Sequence, residues 1–99
     1  MSDDLHVGDL PQWDAADHLT TPELQAEYLS MVMEDGEADE IRAALSAIAR
    51  ARGMKELAEA CNTNRQGLYA SLGKDGNPAF GTVLKLIRSL GLTLSVHTR

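Results

Sequence analysis

Pro22, Gly36, Gly53, Asn62, Pro78 and Gly91 cut this chain into short pieces, and that punctuation constrains the fold more than any other feature. Proline suits the first position of a helix, and glycine or asparagine ends one. Thr21, Pro22 and Glu23 therefore mark a helix start, although Thr20 with Glu23 would cap it one residue earlier. That helix runs to Gly36 with Leu24, Tyr28, Met31 and Val32 at helical spacing. A second helix is predicted from about Asp39 to Arg52, burying Ile41, Ala44, Leu45 and Ile48, with Arg50 and Arg52 in its dipole-favoured last turn. Two short helices fill 54–72. In "GKDGNP", Asn77 caps and Pro78 opens a last helix, which buries Phe80, Val83, Leu84, Ile87 and Leu90 before Gly91.

The two ends read differently. Residues 1–12, "MSDDLHVGDLPQ", have no sustained period and read as an arm, while "WDAADHL" can make one or two helical turns. The tail "LTLSVHT" alternates Leu92, Leu94 and Val96 with polar residues, which is strand periodicity. A lone strand needs a partner for its backbone groups, and the same segment of a second copy supplies one across a two-fold axis. The other reading of the tail is a frayed end. The expected fold is all-α: a small bundle of five or six helices with a helix-turn-helix, plus a short C-terminal strand pairing across a dimer. Its parts are an arm (1–12) and one domain (13–99), comprising acidic helices (13–38), a DNA-binding core (39–91) and a dimerising strand (92–98).

Aromatic residues make up only 4% of the chain, so Leu, Ile, Val, Met and Ala must build the core, and these suit helices. A single cysteine, Cys61, excludes an internal disulfide and reads as a buried structural thiol. No apolar run approaches the roughly 18 residues of a membrane span. The acidic N-terminus is unlike a secretion signal, so a cytoplasmic location is expected.

The formal net charge of −6 is unevenly divided. Residues 1–40 hold twelve of the fifteen acids and no Lys or Arg, whereas 41–99 hold all nine bases. Such asymmetry suggests two surfaces with two partners. A merely solvated acidic face is the plainer alternative.

The basic half contains "MKELAEACNTNRQGLYASL", residues 54–72. Leu57 and Cys61 share one face, Ala58 is small where two helices would approach, and Asn62 tolerates a left-handed corner. Thr63 can cap the second helix, and Leu68 and Leu72 return it to the core. Asn64, Arg65, Gln66 and Tyr69 are left facing outwards. Arg pairs bidentately with guanine, and Asn or Gln with adenine. Arg52, Lys55 and Lys74 flank the corner as candidate phosphate holders. Gly67 and Ser71 depart from the ideal pattern, and a hairpin that only packs is the competing reading.

"WDAADHL", "IARARGMKELAEACNTNRQGLYASL" and "GNPAFGTVLKLIRSLGL" together resemble the addiction-module antidote family, the HigA-like helix-turn-helix antitoxins. The resemblance covers roughly 13–94 in order. It implies a small prokaryotic or phage protein that blocks a RelE/ParE-superfamily toxin and represses their shared promoter. In that pattern glycine is commoner than Asn62 at the corner, and a serine often starts the recognition helix, where Thr63 and Asn64 stand here.

The expected function is thus that of an antitoxin and repressor, homodimeric, bound to double-stranded operator DNA and to a toxin. The acidic half would steer the toxin, through Glu23, Glu27, Glu34 and Asp35 with Leu29 and Met33 as apolar anchors. Leu92, Leu94 and Val96 would hold the dimer. A stand-alone prophage-type repressor is the alternative, and a pure protein-binding adaptor a third reading. Asp14, Asp17 and His18 lack the further ligands or nucleophile of a catalytic site, so neither an enzyme, a cofactor nor a metal is expected.

Overall fold

The computed structural model describes residues 14–99. A 3-10 helix over Ala15–His18 precedes α1 (Pro22–Asp35), α2 (Ala38–Arg52), α3 (Met54–Ala60), α4 (Arg65–Leu72) and α5 (Phe80–Ser89). The arm expected over 1–12, and Trp13 with it, lie outside the described residues.

Helix starts follow local chemistry. Asp14 caps the 3-10 helix by accepting from the Ala16 N–H at 3.0 Å. Thr21 Oγ1 accepts from the Leu24 N–H at 3.1 Å, with Pro22 opening α1 as predicted. At α2, the Glu40 carboxylate reaches back to the Glu37 N–H at 2.8 Å. The last helix corrects the sequence reading: it opens at Phe80 with Ala79 as its N-cap, not at Asn77–Pro78. Gly36 follows α1 in extended backbone, whereas Gly53 joins α2 to α3 at φ +125°, a conformation that disfavours any side chain.

Helix α2 is the hub. It packs against the 3-10 helix, α1, α3 and α4, while α5 closes over α3. Ala44, Ala47 and Ala49 are buried beside Leu45 and Ile48, so small residues let several neighbours approach one helix. Leu45, Ile48, Leu68, Leu72, Leu86, Ile87 and Leu90 are the most deeply buried large side chains. Each stabilises the fold by about 1.5–3 kcal/mol relative to exposure. Ile41 of the predicted α2 stripe is only partly buried.

Two buried stripes differ from expectation. In α1 the inward face is Gln25, Tyr28, Leu29 and Val32, whereas Leu24 and Met31 are exposed. A glutamine is tolerated there because its ends are satisfied: Nε2 donates to Leu19 O at 3.0 Å and Oε1 accepts from Arg52 at 2.9 Å. In α5, Leu86 is buried and Phe80, at the first helical residue, is 67% exposed.

Residues 92–99 form neither helix nor strand in the single chain. Gly91, at φ +76°, turns the backbone out of α5, and the segment then runs beside α1. Leu92 packs against the core, and Arg99 donates to Glu34 O at 3.0 Å. The expected strand is not formed, since a single copy offers no neighbouring ladder to complete it.

Candidate nucleic-acid interface

The corner between α3 and α4 is closed by backbone bonds. Cys61 N–H donates to Leu57 O at 3.0 Å, Asn62 N–H to Glu59 O at 3.2 Å, and Thr63 N–H to Ala58 O at 2.9 Å. Asn62 has φ +57°, the left-handed turn expected of it, and no other non-glycine described residue has positive φ. Met54, Leu57, Ala58 and Cys61 are buried on one side of the corner, and Leu68 and Leu72 on the other. Burial also pushes the Cys61 thiol pKa up, while Lys85 acts weakly in the opposite sense.

Asn64, not Thr63, caps α4. Its Oδ1 accepts from the Gly67 N–H at 2.7 Å, so this oxygen is committed within the chain. Gly67 is explained by the same geometry. A Cβ there would collide with Thr63 Oγ1 and press to 3.3 Å on Asn64 Oδ1. Thr63 and Asn64 thus sit over the helix start, while Arg65, Gln66 and Tyr69 project into solvent from the first turns of α4.

The far end of α4 is fixed as well. Arg42 of α2 donates from Nη1 to Leu72 O at 2.8 Å, a bond spanning thirty residues of chain. Its Nε lies 3.9 Å from the Asp39 carboxylate. A cation on the last carbonyls of a helix also complements the helix dipole.

A shallow groove runs between the 3-10 helix and this corner, lined by Asp14, Asp17, Arg50, Lys55, Arg65 and Tyr69 among others. Lys55, Arg65 and Tyr69 are thereby brought together. Lys74 is exposed in the loop beyond α4 and does not line the groove. Arg52 is turned inward: its Nη2 donates at 2.9 Å both to Gln25 Oε1 and to Leu90 O, which removes it from the expected set of phosphate holders. Arg50, which the sequence reading placed only in a helix terminus, lines the groove instead. It is ion-paired with Asp14, whose carboxyl is held below the usual aspartate range by the Ala16 N–H first and by Arg50 second. Spacing could have found Arg50, because residues 50 and 52 lie about 200° apart on a helix and only one can face inwards.

On the opposite side of the sequence, Glu23, Glu27, Glu34 and Asp35 are all exposed on α1. Leu29 is 5% exposed and belongs to the core, so it is a core residue and not the apolar anchor expected of it. Met33 is exposed and lines a cavity of about 420 Å³ between α1 and the tail, with Leu92, Leu94 and Val96 across from it. Of those three, Leu92 is partly buried and Val96 is 93% exposed. Among the described residues, no group of three or more His, Cys, Asp or Glu could hold a metal ion. No helix there is long and apolar enough to cross a membrane.

A family profile described as "Probable addiction module antidote protein" matches residues 9–98. A Haemophilus influenzae protein described as uncharacterized is 39% identical over 88 residues, covering 89% of this chain and 91% of that one. No solved structure matches significantly.

Proposed function

Because the chain belongs to the family of probable addiction module antidote proteins, we propose that it is the antitoxin of a type II module, of the HigA-like kind. It neutralises a RelE/ParE-superfamily toxin by direct binding and represses its own operon through α3 and α4, acting as a helix-turn-helix on double-stranded DNA. The observation that carries the DNA reading is the left-handed Asn62 corner. It holds α4 on the core by Leu68 and Leu72 while Arg65, Gln66 and Tyr69 stay exposed. Arg65 and Gln66 have the donors and acceptors for base edges, and Lys55, which lines the same groove as Arg65, would hold a phosphate. Thr63 and Asn64 adjoin Arg65 at the start of α4, and the exposed Lys74, in the loop beyond the other end of the helix, would hold a phosphate farther along the backbone. Catalysis has no part in this reading.

Net negative charge is compatible with it. Screening confines electrostatics to about 8 Å at physiological salt, so the bases near the duplex outweigh distant acids. The acidic face of α1 suits a basic toxin. Leu24, Glu27, Met31 and Glu34 fall on one exposed stripe, at i, i+3, i+7 and i+10, which joins apolar anchors to charges.

The protein works as a homodimer in this reading, with Leu92, Leu94 and Val96 of two copies pairing as strands. The tail's backbone groups then gain the ladder that one chain lacks. Footprinting on the promoter tests the whole. Two protected half-sites about one helical turn apart, roughly 34 Å, are expected, and deletion of residues 92–99 should weaken binding and give monomers in sedimentation. Absence of protection at low salt would defeat the DNA reading, and a truncated protein that stays dimeric would move the interface to the helices.

A further inference from the structure

Among the described residues, three cations line the groove beside α4, and one of them, Arg50, is engaged by an acid from a different element. Asp14 is fixed at both carboxylate oxygens. Oδ1 accepts from the Ala16 N–H at 3.0 Å, and Oδ2 accepts from Arg50 Nη1 at 2.5 Å. It is therefore a placed group and not a swinging surface carboxylate. Arg50 stands at the end of α2 and lines the same groove as Lys55, Arg65 and Tyr69. Its side chain remains 38% exposed and that of Asp14 35%, so the pair borders open solvent. Asp17 lines the groove as well.

We propose that Asp14 is a selectivity residue: by holding Arg50, it keeps that guanidinium out of the set of cations available to duplex phosphates. The inference rests on the DNA-binding reading above. Sequence-independent affinity for a duplex grows with each phosphate neutralised, with a salt slope of about −0.9 per contact. An arginine already neutralised by a fixed carboxylate releases no counterion from DNA, and the carboxylate itself repels an approaching phosphate. Binding then depends more heavily on Arg65 and Gln66, which read bases. An acidic protein with few bases gains discrimination in this way by lowering its affinity for the wrong sites.

The substitution that isolates the charge is Asp14→Asn. Asparagine caps a helix as well as aspartate does, so the Ala16 N–H keeps its acceptor while Arg50 loses its counter-charge. Binding of a random-sequence duplex is measured by fluorescence anisotropy across a salt series, with the helical circular dichroism signal confirming the fold. For Asp14→Asn the log–log slope should steepen by about 0.9, equivalent to a roughly fivefold larger gain in affinity than wild type on going from 1 M to 0.15 M salt. The double variant Asp14→Asn/Arg50→Gln should return to the wild-type slope. Asp17→Asn removes the same unit of charge without touching the pair and should steepen the slope less than Asp14→Asn. Equal effects from Asp14→Asn and Asp17→Asn would overturn the proposal in favour of a bulk field. An unchanged slope for Asp14→Asn in a protein that binds duplex DNA would overturn it outright. If neither wild type nor variant binds any duplex at low salt, the DNA reading itself fails and the proposal with it.

Discussion

Arg52 Nη2 donates at 2.9 Å to Gln25 Oε1, and the same nitrogen lies 2.9 Å from Leu90 O. The buried Gln25 in turn donates to Leu19 O. One guanidinium thus joins the end of α2 to α1 and to the end of α5, and the glutamine carries the connection on to the segment before α1. Truncating Arg52 leaves two acceptors in half-buried surroundings without their donor, at about 1–3 kcal/mol for an unsatisfied group. Arg52→Ala should lower stability by roughly that amount in urea denaturation. Arg52→Lys should recover only part of it, because an ammonium lacks the planar fork. DNA affinity at a temperature where both proteins are folded should change little; a large selective loss of DNA binding would return Arg52 to the interface.

Arg65 and Lys55 share a groove, and the proposed function assigns them different roles. Arg65→Ala should cost about 1–3 kcal/mol on the operator and relax preference at one base position. Lys55→Ala should weaken all sequences alike and flatten the salt slope by roughly one unit. Comparing operator with random duplex for both variants separates the roles, and equal weakening by Arg65→Ala would remove it as a base reader.

Gly67 sets two effects against each other. Replacing glycine by alanine gains about 0.8–1 kcal/mol in a helix interior, an upper bound for Gly67 in the first turn of α4. Here the new methyl meets Thr63 Oγ1, an atom that can rotate away only by abandoning its present rotamer. Gly67→Ala should therefore stabilise less than propensity predicts, and the missing part should appear when Thr63→Ala is added. Thermal denaturation of the four-member cycle measures the coupling. Full additivity would mean the close approach has no energetic consequence.

On the proposed toxin-binding face of α1, charge and apolar contact should separate kinetically. Reversing Glu23, Glu27 and Glu34 should slow association by an order of magnitude or so at low salt and by less at high salt. Met31→Ala and Leu24→Ala should instead speed dissociation, since buried anchors act mainly on the off-rate. Stopped-flow mixing with purified toxin reads both. Unchanged association after charge reversal would move the contact away from α1.

How much of this could be read from the sequence depended on whether the cause was local. Thr21 with Pro22, Gly53, and Asn62 at the corner were legible because a cap or a backbone sign is decided by the residue itself. The register of α1 was not. Gln25 occupies a core position, and its acceptor and donor partners, Leu19 and Arg52, come from outside the helix, so the apolar stripe drawn through Leu24 and Met31 was rotated from the buried one. Leu29 and Arg52 lost their expected surface roles for the same reason. Phe80 misled differently, since an aromatic at the first residue of a helix can project past the neighbouring elements. In the tail, alternation of Leu92, Leu94 and Val96 described an appetite for pairing that a single chain cannot meet.

Arg42 has a consequence for how a duplex would be approached. With Asn64 closing one end of α4 and Arg42 gripping Leu72 O at the other, an eight-residue helix is clamped at both ends. A probe mounted so stiffly loses little conformational entropy on docking, but it also cannot tilt to follow an irregular groove. The DNA would have to supply the compliance. Flexible pyrimidine–purine steps between half-sites would then be favoured at positions no side chain touches.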